Sequence, residues 1–272
     1  MQRAPRPVSP PFPVNAPAPT GTRKVLVTGG GTGIGLAVCE ALLQSGGEVV
    51  AVGRRAAPLE ALAARFPGRA HALCCDVGDA QAREGLLSRA ASLLGGLDGL
   101  VHSAGVVAHE PPGHISEQAL RAQLDVNLVA PLRLGEQALS VLAEGGGMVF
   151  VSSTLAVRPV VTSAAYSASK AGLLQVMKVL AQAGAARRVR ANAVLPGVVD
   201  TDMVRAPRLR PGETELSDAD AAARVEEQLR GLAALHPLGI GHPANVAEAV
   251  VHLLGAPWTT GSELVVDGGL TL

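Results

Sequence analysis

The chain has 272 residues with 23 basic and 23 acidic side chains, so its formal net charge is zero. It has no basic stripe, no interleaving of aromatic with basic residues, and no apolar run of the ~18 residues a membrane span needs, which excludes nucleic acid and membrane as expected partners. Apolar residues make up 48% and aromatics only 2%, so a core of ordinary size must be packed from Ala, Val and Leu. The cysteines, Cys39, Cys74 and Cys75, are odd in number and two are adjacent. No disulfide framework is expected, which fits a reducing cytoplasm. The seven histidines show no metal spacing. The closest pair, His109 and His114, reads as two plain polar loop residues, and no metal site is expected.

In chain order, residues 1–22 come first, with Pro at 5, 7, 10, 11, 13, 17 and 19. Proline at that density forbids helix and discourages sheet, so the segment reads as a disordered arm. It lacks an apolar stretch and does not read as a secretory signal. From Lys24 the pattern changes. A short apolar run at 25–27 ends in Thr28-Gly29-Gly30-Gly31-Thr32-Gly33-Ile34-Gly35, and a helical pattern follows over 36–45. Strand, glycine-rich turn and helix in that order is the context of a dinucleotide fingerprint. The glycines let the backbone approach a pyrophosphate, and the helix start offers free N–H groups. Gly29, Gly31, Thr32, Gly33, Ile34 and Gly35 are the expected cofactor contacts.

The next strand, 48–53, ends in Gly53-Arg54-Arg55. In such folds this end lies beside the adenosine ribose, where an acid would suit NAD. Two guanidinium groups suit a 2′-phosphate instead, so Arg54 and Arg55 favour NADP(H) over NAD(H). Alternation continues with helices over 57–66, 80–94 and 116–143 and strands over 69–75 and 99–102. Then come a strand over 148–152, a helix through Tyr166 to about 187, and a strand over 189–195. Strands separated by helices at this spacing give a parallel sheet covered on both faces. One domain, 23–272, is the economical reading. The segment 201–237 departs from the rhythm with a polar run containing Pro207, Pro211 and Gly212, then a helix from about 219. It follows a strand's C-terminal end, where ligands bind, and reads as a substrate lid. Its Arg205, Arg208 and Arg210 are candidates to read an anionic substrate. A helix over 243–254 and a last strand over 263–266 close the chain.

Tyr166-Ser167-Ala168-Ser169-Lys170 holds the only Tyr and one of three lysines. Four residues is one helical turn, so both side chains leave one face. An ammonium near a phenol favours the phenolate, so the Tyr166 pKa is expected to fall below its usual ~10.

These motifs together resemble the short-chain dehydrogenase/reductase family, over nearly the whole chain after residue 22. Thr28-Gly29-x-x-x-Gly33-x-Gly35 matches the family's cofactor turn, and Asp76-Val77 its adenine-contacting pair. Ala104-Gly105 match the end of its Asn-Asn-Ala-Gly motif, with His102-Ser103 replacing the two asparagines. Ser153, thirteen residues before Tyr166, matches its serine, and Asn127 within Asp125-Val126-Asn127 its helical asparagine. Pro196-Gly197-x-Val199-x-Thr201 matches its nicotinamide-side loop. Thr32 stands where NADP(H)-preferring members often carry a basic residue, which runs against the arginine reading of cofactor choice.

The resemblance implies a Rossmann-type doubly wound α/β fold with about seven strands and helices on both faces. It implies Tyr166 as the acid or base in ketone–alcohol interconversion. Lys170 would tune that phenol and hold the nicotinamide ribose, Ser153 would orient the substrate oxygen, and Asn127 would hold a water linking Lys170 to solvent. A small carbonyl compound or a 3-oxoacyl thioester is the expected substrate. Arg187 and Arg188 are candidates to meet an acidic carrier protein. The alternatives are a non-catalytic cofactor-binding regulator and a non-redox epimerase or dehydratase. A homodimer or homotetramer through the fourth and fifth helices is also implied, with Leu173, Leu174, Met177 and Leu180 open to either core or interface.

Overall fold

In the computed structural model, the described residues are 23–208, 213 and 216–272. The Pro-rich arm, and Arg210, Pro211 and Gly212 of the polar run, lie outside them. Seven strands form one parallel sheet: β1 (Lys24–Thr28), β2 (Glu48–Gly53), β3 (Ala70–Cys74), β4 (Gly99–His102), β5 (Gly147–Val151), β6 (Arg190–Pro196) and β7 (Glu263–Val266). Their spatial order is β3-β2-β1-β4-β5-β6-β7. Val27 of β1 pairs with Ala51 on one side and Val101 on the other. The expected doubly wound sheet is therefore present.

The helices α1 (Gly33–Gln44), α2 (Ala56–Arg65) and α10 (Pro243–Gly255) cover one face. The other face is covered by α4 (Leu86–Leu94), α6 (Ala130–Val141) and α7 (Ala164–Gly184). Successive strand side chains point to opposite faces, and here both faces are dry, so the central strands are near-continuous Val, Leu and Ala. Leu26, Val50 and Leu100 enter the α4–α6–α7 layer. Val25, Val49 and Val101 enter the α1–α2–α10 layer. Each such Leu or Val stabilises the fold by about 1.5–3 kcal/mol. Leu173, Leu174, Met177 and Leu180 all belong to this core, none more than 4% exposed, and so are unavailable to an interface.

Two expected helices are interrupted. The 80–94 helix divides into α3 (Ala80–Arg83) and α4, with Gly85 between them at φ 64°. The 116–143 helix starts as expected, with the Ser116 hydroxyl accepting from Ala119 N–H, and runs as α5 (Glu117–Leu124). It then widens into a π-helical turn over Asp125–Val129 before continuing as α6. Two further helices, α8 (Asp202–Arg205) and α9 (Asp218–Ala233), follow β6. Strand order reverses between β1 and β4, so their C-terminal ends open the crevice where ligands bind in sheets of this kind.

Candidate active site

A cleft of about 240 Å³ lies over that crevice. Its floor is the glycine-rich turn. Gly29 has φ 69°, and a Cβ there would lie 2.8 Å from Ala104 N. Only glycine lets the loop after β1 lie on the loop after β4. A Cβ on Gly35 would overlap the Gly29 carbonyl oxygen, so that glycine is what lets α1 start against the turn. Thr32 precedes α1 without capping it by its side chain, which leaves the first N–H groups of α1 facing the cleft. Gly31, Gly33 and Ile34 line the same wall. This cradle fits a dinucleotide pyrophosphate: it is concave, its N–H groups are available, and side chains at the close-approach positions would fill it.

At the adenosine end, Arg54, Arg55, Asp76 and Val77 all line the cleft. Arg55 is partly engaged, with Nη2 at 3.4 Å from Thr32 Oγ1 and 3.8 Å from Asp202 Oδ2. Asp76 Oδ1 accepts from Gly78 N–H at 2.8 Å, which fixes the turn after β3.

Ala104 and Gly105 form the opposite wall. They are held by an arrangement the sequence did not announce. Thr28 Oγ1 lies 3.1 Å from His102 Nδ1 and accepts from Ala104 N–H at 3.2 Å. His102 Nε2 lies 3.2 Å from the Val126 carbonyl. A carbonyl can only accept, so Nε2 carries the proton and Nδ1 accepts from Thr28. Burial pushes the imidazole down to about 3, keeping it neutral in this role. His102 thus ties β1, β4 and the π-helical turn together.

Asn127 sits in that turn, fully buried. Its Oδ1 accepts from Val106 N–H, and its Nδ2 donates to Val106 O and to Ser169 Oγ, at 2.9, 2.9 and 3.1 Å. A Cβ on Gly105 would stand 3.4 Å from Asn127 Oδ1 and 3.5 Å from Lys170 Nζ, so glycine leaves the space between them.

Ser153 follows β5, and its Oγ accepts from Leu155 N–H at 3.1 Å. Tyr166 lies on the first turn of α7, with the Ser153 side chain near enough to favour its phenolate. Lys170 is one turn further, 3% exposed, and its Nζ donates to Val151 O at 2.8 Å. The expected drop in the Tyr166 pKa is not found. Burial pushes the phenol up to about 12, outweighing the lowering by Ser153. Lys170 Nζ stands 5.7 Å from the ring centroid, and burial pushes its own pKa down to about 8. Desolvation disfavours the charged form of each group.

Pro196 ends β6, and its carbonyl accepts from Thr154 Oγ1 at 3.2 Å. Gly197 passes so close to Asp267 that a Cβ would meet its Cα at 2.9 Å. Val199 is buried beneath the loop, and Thr201 crosses the cleft to the glycine turn, its Cγ2 3.1 Å from where a Gly33 Cβ would stand. His236, buried three residues past the end of α9, holds this loop. Its Nδ1 lies 2.8 Å from Leu232 O and its Nε2 accepts from Val198 N–H at 3.1 Å.

His109 is not the unpartnered loop residue expected, since its Nδ1 lies 3.0 Å from Ser163 Oγ, just before α7. Arg187 is committed to the end of α6, donating to Leu139 O and Leu142 O, which removes it as a free contact for a carrier protein. Among the described residues, no group of three metal-ligating side chains comes together, and no helix is long and apolar enough to cross a membrane.

Residues 23–211 match the short chain dehydrogenase family. The chain is 34% identical to D-erythrulose reductase of Gallus gallus, covering 91% of this chain and 95% of that protein. It is 32% identical to 3-oxoacyl-[acyl-carrier-protein] reductase of Mus musculus, covering 90% and 97%. Among solved structures, it is similar to a blue fluorescent protein from a metagenomic library in complex with NADPH. That likeness has a TM-score of 0.79 and 29% identity, and covers 92% of this chain and 98% of the other.

Proposed function

The chain belongs to the short-chain dehydrogenase family and is an NAD(P)-dependent oxidoreductase of it, and on this premise we propose that it interconverts a ketone and a secondary alcohol, prefers NADP(H), and uses Tyr166 to exchange the proton. The observation that carries this reading is the gathering of Ser153, Tyr166 and Lys170, with Lys170 Nζ next to Gly105 in the wall of the glycine-lined cleft.

Gly29, Gly31, Thr32, Gly33, Ile34 and Gly35 would hold the pyrophosphate, Asp76 and Val77 the adenine, and Arg54 and Arg55 the 2′-phosphate. Ala104 and Gly105 leave room along the opposite wall. Lys170 would hold the nicotinamide ribose, and Pro196, Gly197, Val199 and Thr201 would bound the ring. A nicotinamide bound there supplies or accepts the hydride. Ser153 Oγ orients the substrate oxygen against Tyr166. With its pKa near 12, the phenol is protonated throughout the neutral range, the state needed to donate to a carbonyl oxygen. Asn127 Oδ1 faces the space over Gly105, where a water would link Lys170 to solvent.

The NADP(H) preference rests on Arg54 and Arg55 and is supported by the NADPH complex of the metagenomic relative. The named relatives act on a ketose and on a 3-oxoacyl substrate, which supports a carbonyl substrate of either kind here. A non-catalytic regulator would have no use for the Tyr166–Lys170 pair. An epimerase or dehydratase acting on a sugar nucleotide would need a larger substrate region than the one after Pro196. That segment, with α8 and α9, serves as the lid. A homodimer or homotetramer packed through α5–α6 and α7 would use their exposed faces, including Val179, and sedimentation would test it.

The test is NADPH oxidation on a panel of acetoacetyl thioesters, simple ketones, diketones, quinones and ketoses, with NADH in parallel. Turnover on one class establishes the reductase. Tight NADPH binding without turnover on any class would overturn it.

A further inference from the structure

Arg83 is a charged side chain in a buried place. It ends α3 only 6% exposed, and among the described residues no carboxylate pairs with it. Its Nη1 donates instead to two successive carbonyls, Val77 O at 2.5 Å and Gly78 O at 3.0 Å. Local structure brings it there. The Asp79 carboxylate caps α3, its Oδ1 accepting from Gln81 N–H and Ala82 N–H at 2.7 and 3.3 Å. The single turn of α3 then carries Arg83 back over the loop that precedes it. A neutral side chain could fill this space without the cost of taking a guanidinium out of water. What the guanidinium adds is a grip on two peptide planes.

Those planes belong to the turn at the adenosine end of the cleft, where Asp76 and Val77 are lining residues. Asp76 O accepts from Asp79 N–H at 3.1 Å. The consecutive carbonyls 76, 77 and 78 are therefore all held, the last two by Arg83. On its other side the turn has little slack, since a Cβ on Gly78 would stand 3.0 Å from Val126 Cγ2. The fixed turn leaves one donor and one acceptor open. Val77 N–H makes no backbone hydrogen bond among the described residues. Asp76 Oδ1 is committed to Gly78 N–H, which leaves Oδ2 to accept. An ionised carboxylate only accepts. Adenine offers the matching edge, an amino donor on C6 beside the N1 acceptor, and hypoxanthine reverses both.

We propose that Arg83 is a positioning residue for the adenine end of the cleft: by holding carbonyls 77 and 78 it fixes the orientation in which Val77 N–H and the Asp76 carboxylate read the 6-amino edge of the base. This rests on the reading of the cleft as a dinucleotide site. Arg83 acts through the turn, so removing it weakens recognition of the base and leaves the pyrophosphate cradle as it is.

The test is a fluorescence titration of the full chain with NADPH and with its hypoxanthine analogue, in which oxygen replaces the 6-amino group. It needs no turnover and no known substrate. The wild type is expected to bind NADPH on the order of tenfold more tightly than the analogue. Arg83→Met is expected to weaken NADPH until that gap closes, with the Kd of the analogue little changed. Arg83→Lys keeps the charge but not the fork; it is expected to show an intermediate gap, and it decides the matter if Arg83→Met does not fold. A gap that survives in both variants, or an equal weakening of the two dinucleotides, would make Arg83 a plain staple of the loop and overturn the proposal. Equal binding of both by the wild type would overturn it together with the adenine role of Asp76 and Val77. A wild type that binds neither would sink the dinucleotide reading itself.

Discussion

His102 makes a quantitative test of how the cleft is held. It is fully buried and neutral, with Thr28 on Nδ1 and the Val126 carbonyl on Nε2. Its pKa is pushed down to about 3 in the fold, from the 6.5 of an exposed ring. The unfolded chain therefore binds a proton below pH 6.5 that the folded chain refuses. The stability this neutral ring contributes is fully present above that pH and is lost as pH falls from about 6.5 towards 3. Linkage gives a slope of about 1.4 kcal/mol per pH unit in the middle of that window. Between pH 7.5 and 5.5 the loss attributable to His102 is about 1.4 kcal/mol. His102→Asn keeps a polar side chain and removes the titration. Urea unfolding of both proteins at pH 7.5, 6.5 and 5.5 should show the wild type losing about 1.4 kcal/mol more than the variant. Other titrating groups are common to the two proteins and cancel. Parallel stability curves would refute the assignment of a buried, neutral His102.

Three further outcomes are expected. Tyr166→Phe should lower kcat by about 10²–10⁴-fold while the NADPH Kd stays within a few-fold; turnover near the wild-type rate would remove Tyr166 from the proton step. Arg54→Asp combined with Arg55→Ala should weaken NADPH far more than NADH in fluorescence titrations, and unchanged discrimination would mean the ribose phosphate is read elsewhere. Gly35→Ala should abolish tight cofactor binding, because the added Cβ overlaps the Gly29 carbonyl and forces the turn off α1; a normal NADPH Kd in a folded variant would contradict the cradle geometry.

The strands and their order of use were legible because burial on both faces leaves a plain signature of Val, Leu and Ala runs broken by turns. The glycine turn was legible because close backbone approach restricts the residue type. The π-helical turn at Asp125–Val129 was not. It contains no glycine or proline, and it is stabilised by partners distant in sequence: the Val106 backbone for Asn127, and the ring of His102 for the Val126 carbonyl. The break at Gly85 could have been suspected, since a glycine in a helical pattern costs about 1 kcal/mol relative to Ala. The pairings of His102 with Thr28 and of His109 with Ser163 join residues 74 and 54 positions apart. No local periodicity encodes such contacts.

The Tyr166–Lys170 pair shows where spacing misleads. Four residues along a helix do bring the two side chains to one face, as expected. The inference from proximity to a lowered phenol pKa fails, because it treats the pair as though it stood in water. In the fold Lys170 is nearly fully buried, its Nζ hydrogen bonds to a carbonyl, and burial disfavours both the ammonium and the phenolate. Which charge state prevails then depends on what else enters the cleft. An anionic group close to Lys170 would favour its ammonium, and a restored ammonium would in turn draw the phenol downward. The proton chemistry of Tyr166 is therefore a property of the loaded site, and the helix spacing supplies only the positions from which it can be built.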